Sequence, residues 1–119
     1  MAKAASGAKA GRPSPEVLTR LYDVVMSRKG MSAEQSYTAK LLARGTAKIA
    51  QKFGEEAVET IIAGTSETPE ALASESADML YHLMVLWADR GVTPEQVWAE
   101  LARREGTSGI AEKAARAKK

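Results

Sequence analysis

Residues 75–91 read ESADMLYHLMVLWADRG, from Glu75 to Gly91, and this stretch decides the fold class. Between Met79 and Ala88 the side chains are apolar nearly all round, interrupted only by His82. A helix without a polar face is a buried helix. The run is about half as long as a membrane span, so it predicts a core element and not a bilayer helix. Upstream, Thr68-Pro69-Glu70 supplies a cap, a proline at the first helical position and an acid in the first turn. Gly91 supplies the stop.

The same signals recur outward along the chain. Ser14-Pro15-Glu16 starts a helix that carries Val17, Leu18, Leu21, Tyr22, Val25 and Met26 at helical spacing and closes at Lys29-Gly30. After a connector over 31–36, Ser36 caps a short helix from Tyr37 to about Ala43, ended by Gly45. Thr46 is expected to cap a third helix, with Ile49, Ala50, Phe53, Ala57 and Ile61 on one apolar face. Gly54 lies inside it, where glycine costs about 1 kcal/mol relative to alanine, and so suggests close approach by another backbone or a ligand. Residues 64–68 read as a loop. Thr93-Pro94-Glu95 opens a fifth helix with Val97, Trp98 and Leu101, closed by Arg103-Arg104 and Gly106. No strand pattern and no solenoid repeat is present. The expectation is an all-α bundle of about four to five helices over 14–106, between a disordered basic tail over 1–13 and a flexible basic tail over 107–119. A helical domain of this size keeps a leftover apolar face, so completion by dimerisation is expected.

Composition narrows the function classes. The 119 residues carry 17 Lys and Arg against 15 Asp and Glu, for a net charge of +2. Much of the excess sits in the tails, at Lys3, Lys9 and Arg12 and at Lys113, Arg116, Lys118 and Lys119. The middle of the chain is close to neutral, and no nucleic-acid partner is expected. The absence of cysteine excludes disulfides and thiolate metal sites and suits a reducing cytoplasm. No membrane association and no export signal is expected.

The acids carry the chemistry. Glu56 with Glu59, and Glu75 with Asp78, are spaced i, i+3, and Glu55 lies four residues before Glu59. Such pairs share one side of a helix and repel. Two of them on consecutive helices predict an antiparallel hairpin with four carboxylates across one interface. Glu75 and Asp78 border the buried run, where an uncompensated carboxylate is costly. Protonation, a cationic partner or a metal must relieve that cost. Hard oxygen ligands suit Mg²⁺, which keeps waters and contacts phosphates. A solvated acidic face, or ion pairs to Lys48, Lys52 or Arg90, is the plainer reading.

Lys48, Lys52, Glu55 and Glu59 form one stripe, read as a phosphate-binding run that leads into a metal site; its plainer reading is a helix ion pair such as Lys52 with Glu56. His82 follows Asp78 by four and could meet metal, phosphate or base, or be a satisfied core histidine. Ser36, Tyr37 and Thr38 could open a helix or offer hydroxyls to phosphate or ribose. Tyr81 and Trp87 read as packing groups. A glycine-rich phosphate loop is absent.

With these residues in view, SYTAKLLARGTAKIAQKFGEEAVETIIAG (Ser36 to Gly64) followed by Glu75 to Gly91 resembles the phosphoribosyl-ATP pyrophosphatase family of the all-α, MazG-like pyrophosphohydrolases. Glu56, Glu59, Glu75 and Asp78 match the Glu-x-x-Glu and Glu-x-x-Asp signature of that superfamily. The resemblance implies Mg²⁺-dependent hydrolysis of phosphoribosyl-ATP to phosphoribosyl-AMP and pyrophosphate, the second step of histidine biosynthesis, by a cytoplasmic homodimer. It implies metal ligation by Glu56, Glu59, Glu75 and Asp78. Glu55 or Glu56 would orient the attacking water, and Lys48 and Lys52 would face phosphate. Two rival readings are a house-cleaning nucleoside triphosphate pyrophosphatase, which shares the acidic core, and a non-enzymatic helical adaptor.

Overall fold

A computed structural model of the chain describes residues 11–117, the side chain of Glu112 excepted. The first ten residues, most of the stretch read as a basic tail, lie outside the described residues. Six helices follow one another: α1 (Glu16–Ser27), α2 (Tyr37–Ala43), α3 (Thr46–Ser66), α4 (Pro69–Arg90), α5 (Pro94–Arg104) and α6 (Gly109–Ala117). No strand occurs among the described residues. The sixth helix falls within the stretch that the sequence left as a tail.

The centre of the fold is the antiparallel pair α3 and α4. At its open end Thr46 Oγ1 donates to Asp89 Oδ2 at 2.5 Å; nearer the turn Thr60 Oγ1 donates across to the Glu75 carbonyl at 3.1 Å. Thr46 is thus the first residue of α3 and ties it to α4; the cap position belongs to Gly45, whose φ of 93° favours glycine. The expected loop over 64–68 shrinks to Glu67 and Thr68. α3 runs to Ser66 and closes with the Glu67 amide on the Ala63 carbonyl, while the Thr65 and Ser66 hydroxyls bond back to the Ile61 and Ile62 carbonyls.

Thr68 caps α4 through the Ala71 amide, and Gly91 closes it in the left-handed conformation with φ 76°. Thr93 and Gln96 cap α5 reciprocally. α1 lies against α4 and is fastened to its end. Tyr22 donates its hydroxyl to the Val92 carbonyl at 2.8 Å, and Lys29 Nζ donates to the Ala88 carbonyl at 3.1 Å.

Tyr22, Val25, Leu41, Ile49, Tyr81, Met84, Val85 and Ala88 form the core. Six of the eight positions are thus contributed by α1 and α4 outside the acidic turn, and Trp98 of α5 meets Trp87 of α4 edge to face at 6.2 Å. The apolar face expected on α3 is only partly covered: Ile49 is buried, Ala50 is exposed, and Ile61 is 62% exposed. α2 has seven residues and cannot follow the 21 residues of α3. Gly54 meets no neighbour, since a Cβ built there would have nothing within 4 Å among the described residues. No backbone among the described residues makes the close approach that Gly54 suggested.

Candidate metal centre

Glu56 projects from the middle of α3 and is buried; Glu75 and Asp78 project from α4 one turn apart and are half-buried. Each offers an oxygen, and these three oxygens lie within 4.8 Å of one another. Glu56 Oε1 and Glu75 Oε1 are shielded from solvent without a hydrogen-bond partner among the described residues. Burial, first, and then the negative charges of Glu59, Asp78 and Glu56 raise the pKa of the Glu75 carboxyl. Three converging carboxylates, two of them with an oxygen that has no partner among the described residues, form a donor set of the type that hard divalent cations take. The residues present therefore fit a metal ion.

The other acids lie differently. Glu59 is exposed and outside the three-oxygen group, yet its charge acts on Glu75. Glu55 is engaged on the exposed flank of α3: Gln51 Nε2 donates to it at 2.9 Å and Lys52 Nζ at 3.3 Å. These hydrogen bonds, that from Gln51 foremost, lower its pKa. The lysine partner anticipated for Glu56 thus goes to Glu55. Lys48 donates to Gln51 Oε1 at 3.1 Å, so Lys48, Gln51, Lys52 and Glu55 form one surface network.

His82 is buried, and its Nδ1 lies 2.9 Å from the Asp78 carbonyl. A carbonyl only accepts, so Nδ1 carries the hydrogen. Nε2 is buried without a partner among the described residues. His82 braces the backbone of Asp78 and is not one of the three convergent donors.

Ser36, Tyr37 and Thr38 separate into three roles. Ser36 caps α2 through the Ala39 amide at 3.2 Å. Tyr37 is exposed and stacks on Tyr81 with ring centroids 6.3 Å apart. Thr38 is buried and its hydroxyl pairs with that of Tyr81 at 2.6 Å. Burial pushes the Tyr81 phenol up to about 12. Sequence reasoning missed Thr60, whose hydroxyl reaches the backbone of both acidic segments. A threonine inside a helix is visible in sequence; its acceptor on the neighbouring helix is not.

Residues 18–105 match the family described as Phosphoribosyl-ATP pyrophosphohydrolase. The chain belongs to the phosphoribosyl-ATP pyrophosphohydrolase family. It is 66% identical over 104 residues to the phosphoribosyl-ATP pyrophosphatase of Paramagnetospirillum magneticum, which covers 87% of this chain and 95% of that protein. It is 67% identical over 103 residues to that of Azospirillum brasilense, covering 87% and 93%, and 63% identical over 106 residues to that of Rhodospirillum rubrum, covering 89% and 91%. All four signature acids of the family resemblance, Glu56, Glu59, Glu75 and Asp78, lie within the matched span.

Proposed function

We propose that the protein hydrolyses phosphoribosyl-ATP to phosphoribosyl-AMP and pyrophosphate, the second step of histidine biosynthesis, with Mg²⁺ held by Glu56, Glu75 and Asp78 and with Glu59 beside them. The observation that carries the reading is the convergence of three carboxylates, two with orphaned oxygens, in a chain of this family. A bound cation supplies charge withdrawal from phosphoryl oxygens and a lowered pKa for a coordinated water. Glu56 accepts the proton of the attacking water in this reading, which is supported by its one oxygen without a partner among the described residues. Glu55 is the poorer base, since its two donors stabilise the ionised form. Lys48 and Lys52 lie on the surface network beside this group and offset charge gathering on the departing pyrophosphate. Tyr37 is the exposed member of the 36–38 segment and the one open to ribose or base.

A second copy of the chain is the natural cover for Val58, Ile61, Ile62 and Leu72, which are exposed around the α3–α4 turn. No helix among the described residues is long and apolar enough to cross a membrane, and a cytoplasmic homodimer is the assembly we propose. The test is pyrophosphate release from phosphoribosyl-ATP with and without Mg²⁺, run beside a panel of ordinary and noncanonical nucleoside triphosphates. Mg²⁺-dependent release with phosphoribosyl-ATP preferred by orders of magnitude in kcat/KM supports the proposal. Equal or better turnover of noncanonical triphosphates transfers it to a house-cleaning enzyme.

A further inference from the structure

The hydroxyl of Thr60 stands 2.8 Å from the Glu56 carbonyl and 3.1 Å from the Glu75 carbonyl. The first contact lies within α3 and is the back-bond common to helical threonines. The second crosses to α4, and the single hydroxyl hydrogen is shared between the two carbonyls. Thr65, one turn and a residue later on the same helix, shows the contrast: its hydroxyl reaches the carbonyls of Ile61 and Ile62, in its own helix. The two carbonyls that Thr60 joins belong to the two residues whose carboxylates carry the orphaned oxygens. A helical threonine divides between two rotamers, and the bond to the Glu56 carbonyl selects the one seen here.

We propose that Thr60 is a positioning residue, which holds the acidic segments of α3 and α4 in the register that lets Glu56 and Glu75 grip one divalent cation. The inference rests on the metal reading above. Thr46 and Asp89 pin the two helices at the far end, and the acids lie well along the pair from that contact. Mg²⁺ demands nearly ideal octahedral geometry at about 2.0–2.1 Å, so a small shift between ligands from two helices weakens it.

The experiment is a titration of the full-length chain with Mn²⁺, read by the loss of the free-ion electron paramagnetic resonance signal, on wild type, Thr60→Val, Thr60→Ser and Thr60→Ala. Circular dichroism checks that each is folded. Thr60→Val is expected to bind Mn²⁺ more weakly by roughly tenfold or more, the range lost when groups that orient metal ligands are removed. Thr60→Ser, which keeps the hydroxyl, is expected to stay close to wild type. In turnover, Thr60→Val should need more Mg²⁺ for half-maximal rate yet recover most of kcat at saturation, a split that simple instability does not produce. Wild-type affinity in Thr60→Val, or equal weakening in Thr60→Ser, overturns the proposal. If the valine variant does not fold, serine against alanine carries the same comparison: a weaker alanine variant supports the clamp and equal affinities overturn it. Mn²⁺ binding absent in wild type overturns the metal reading itself, whereas wild-type binding with an unaffected Thr60→Val overturns the clamp alone.

Discussion

Glu100 on α5 and Glu75 on α4 are the same side chain in opposite electrostatic surroundings. Glu100 accepts from Arg103 Nε at 3.2 Å, from Arg103 again at 2.6 Å and from Arg104 Nε at 2.8 Å. Those hydrogen bonds hold its carboxyl down at about 2. Glu75 has burial and three neighbouring acids, and its carboxyl moves the other way. In the α5 group the carboxylate is answered by two guanidinium groups of its own helix. The α3–α4 group brings three carboxylates together and leaves one oxygen each of Glu56 and Glu75 without a partner among the described residues. Proximity of acids alone does not distinguish a site from a surface. What distinguishes it is carboxylates brought together across two helices with oxygens left unanswered.

The largest expected effect breaks that contrast at the α3–α4 end. Asp78→Asn or Glu56→Gln should lower kcat for phosphoribosyl-ATP by about 10²–10³-fold or more, the scale on which lost electrostatic stabilisation is felt, with helix content unchanged by circular dichroism. Glu100→Gln should leave turnover at the wild-type level in the same assay. Comparable losses at both places would erase the distinction.

A second effect is thermal. Saturating Mg²⁺ at about 100 times its Kd should stabilise wild type by about 2.7 kcal/mol, a shift of several degrees in Tm by scanning fluorimetry. Asp78→Asn should show almost none of it. Without metal, Glu75→Gln should melt no lower than wild type, because the substitution relieves charge repulsion.

Thr38 and Tyr81 give an intermediate case, a buried polar pair that is fully satisfied. Thr38→Val strands the Tyr81 hydroxyl and should cost about 1–3 kcal/mol in urea denaturation. Adding Tyr81→Phe should recover part of that loss, which a metal-site residue would not do.

The smallest effect is at Glu100 itself. Its folded pKa is depressed from the ordinary 4.5, so the folded state binds fewer protons there than the unfolded chain. The stabilisation is present above pH 4.5 and is lost as pH falls toward 2. Glu100→Gln should therefore lower Tm slightly at neutral pH. The difference should shrink in added salt, since the pairs are exposed, and close in acid.

The helices were legible in sequence where a local signal fixed them, although at α1 the cap position falls to Pro15, and Ser14, read as the cap, donates to the Glu16 carboxylate instead. Ser36, Thr68 and Thr93 cap α2, α4 and α5 as their positions promised, and Gly91 stops α4. Thr46 was misread because its informative partner, Asp89, lies 43 residues away, and the 64–68 stretch because its glycine, threonine and serine are turn-forming residue types that here continue the helix. Of the acids, Glu56, Glu75 and Asp78 converge as the hairpin predicted, because helical periodicity fixes their faces. Periodicity did not reveal that Lys52 would take Glu55, nor that Thr38 would turn inward to Tyr81, since rotamer and depth separate neighbours on one face. Thr60 stayed hidden for the same reason: its informative partner is on another helix.

The central claim is most directly tested by diffraction from crystals grown with Mn²⁺, using its anomalous signal. A peak between α3 and α4 within about 2.0–2.3 Å of oxygens from Glu56, Glu75 and Asp78 is the expected result. Carboxylates neutralised there by a lysine, an arginine or shared protons, with no peak among them at saturating Mn²⁺, would contradict it.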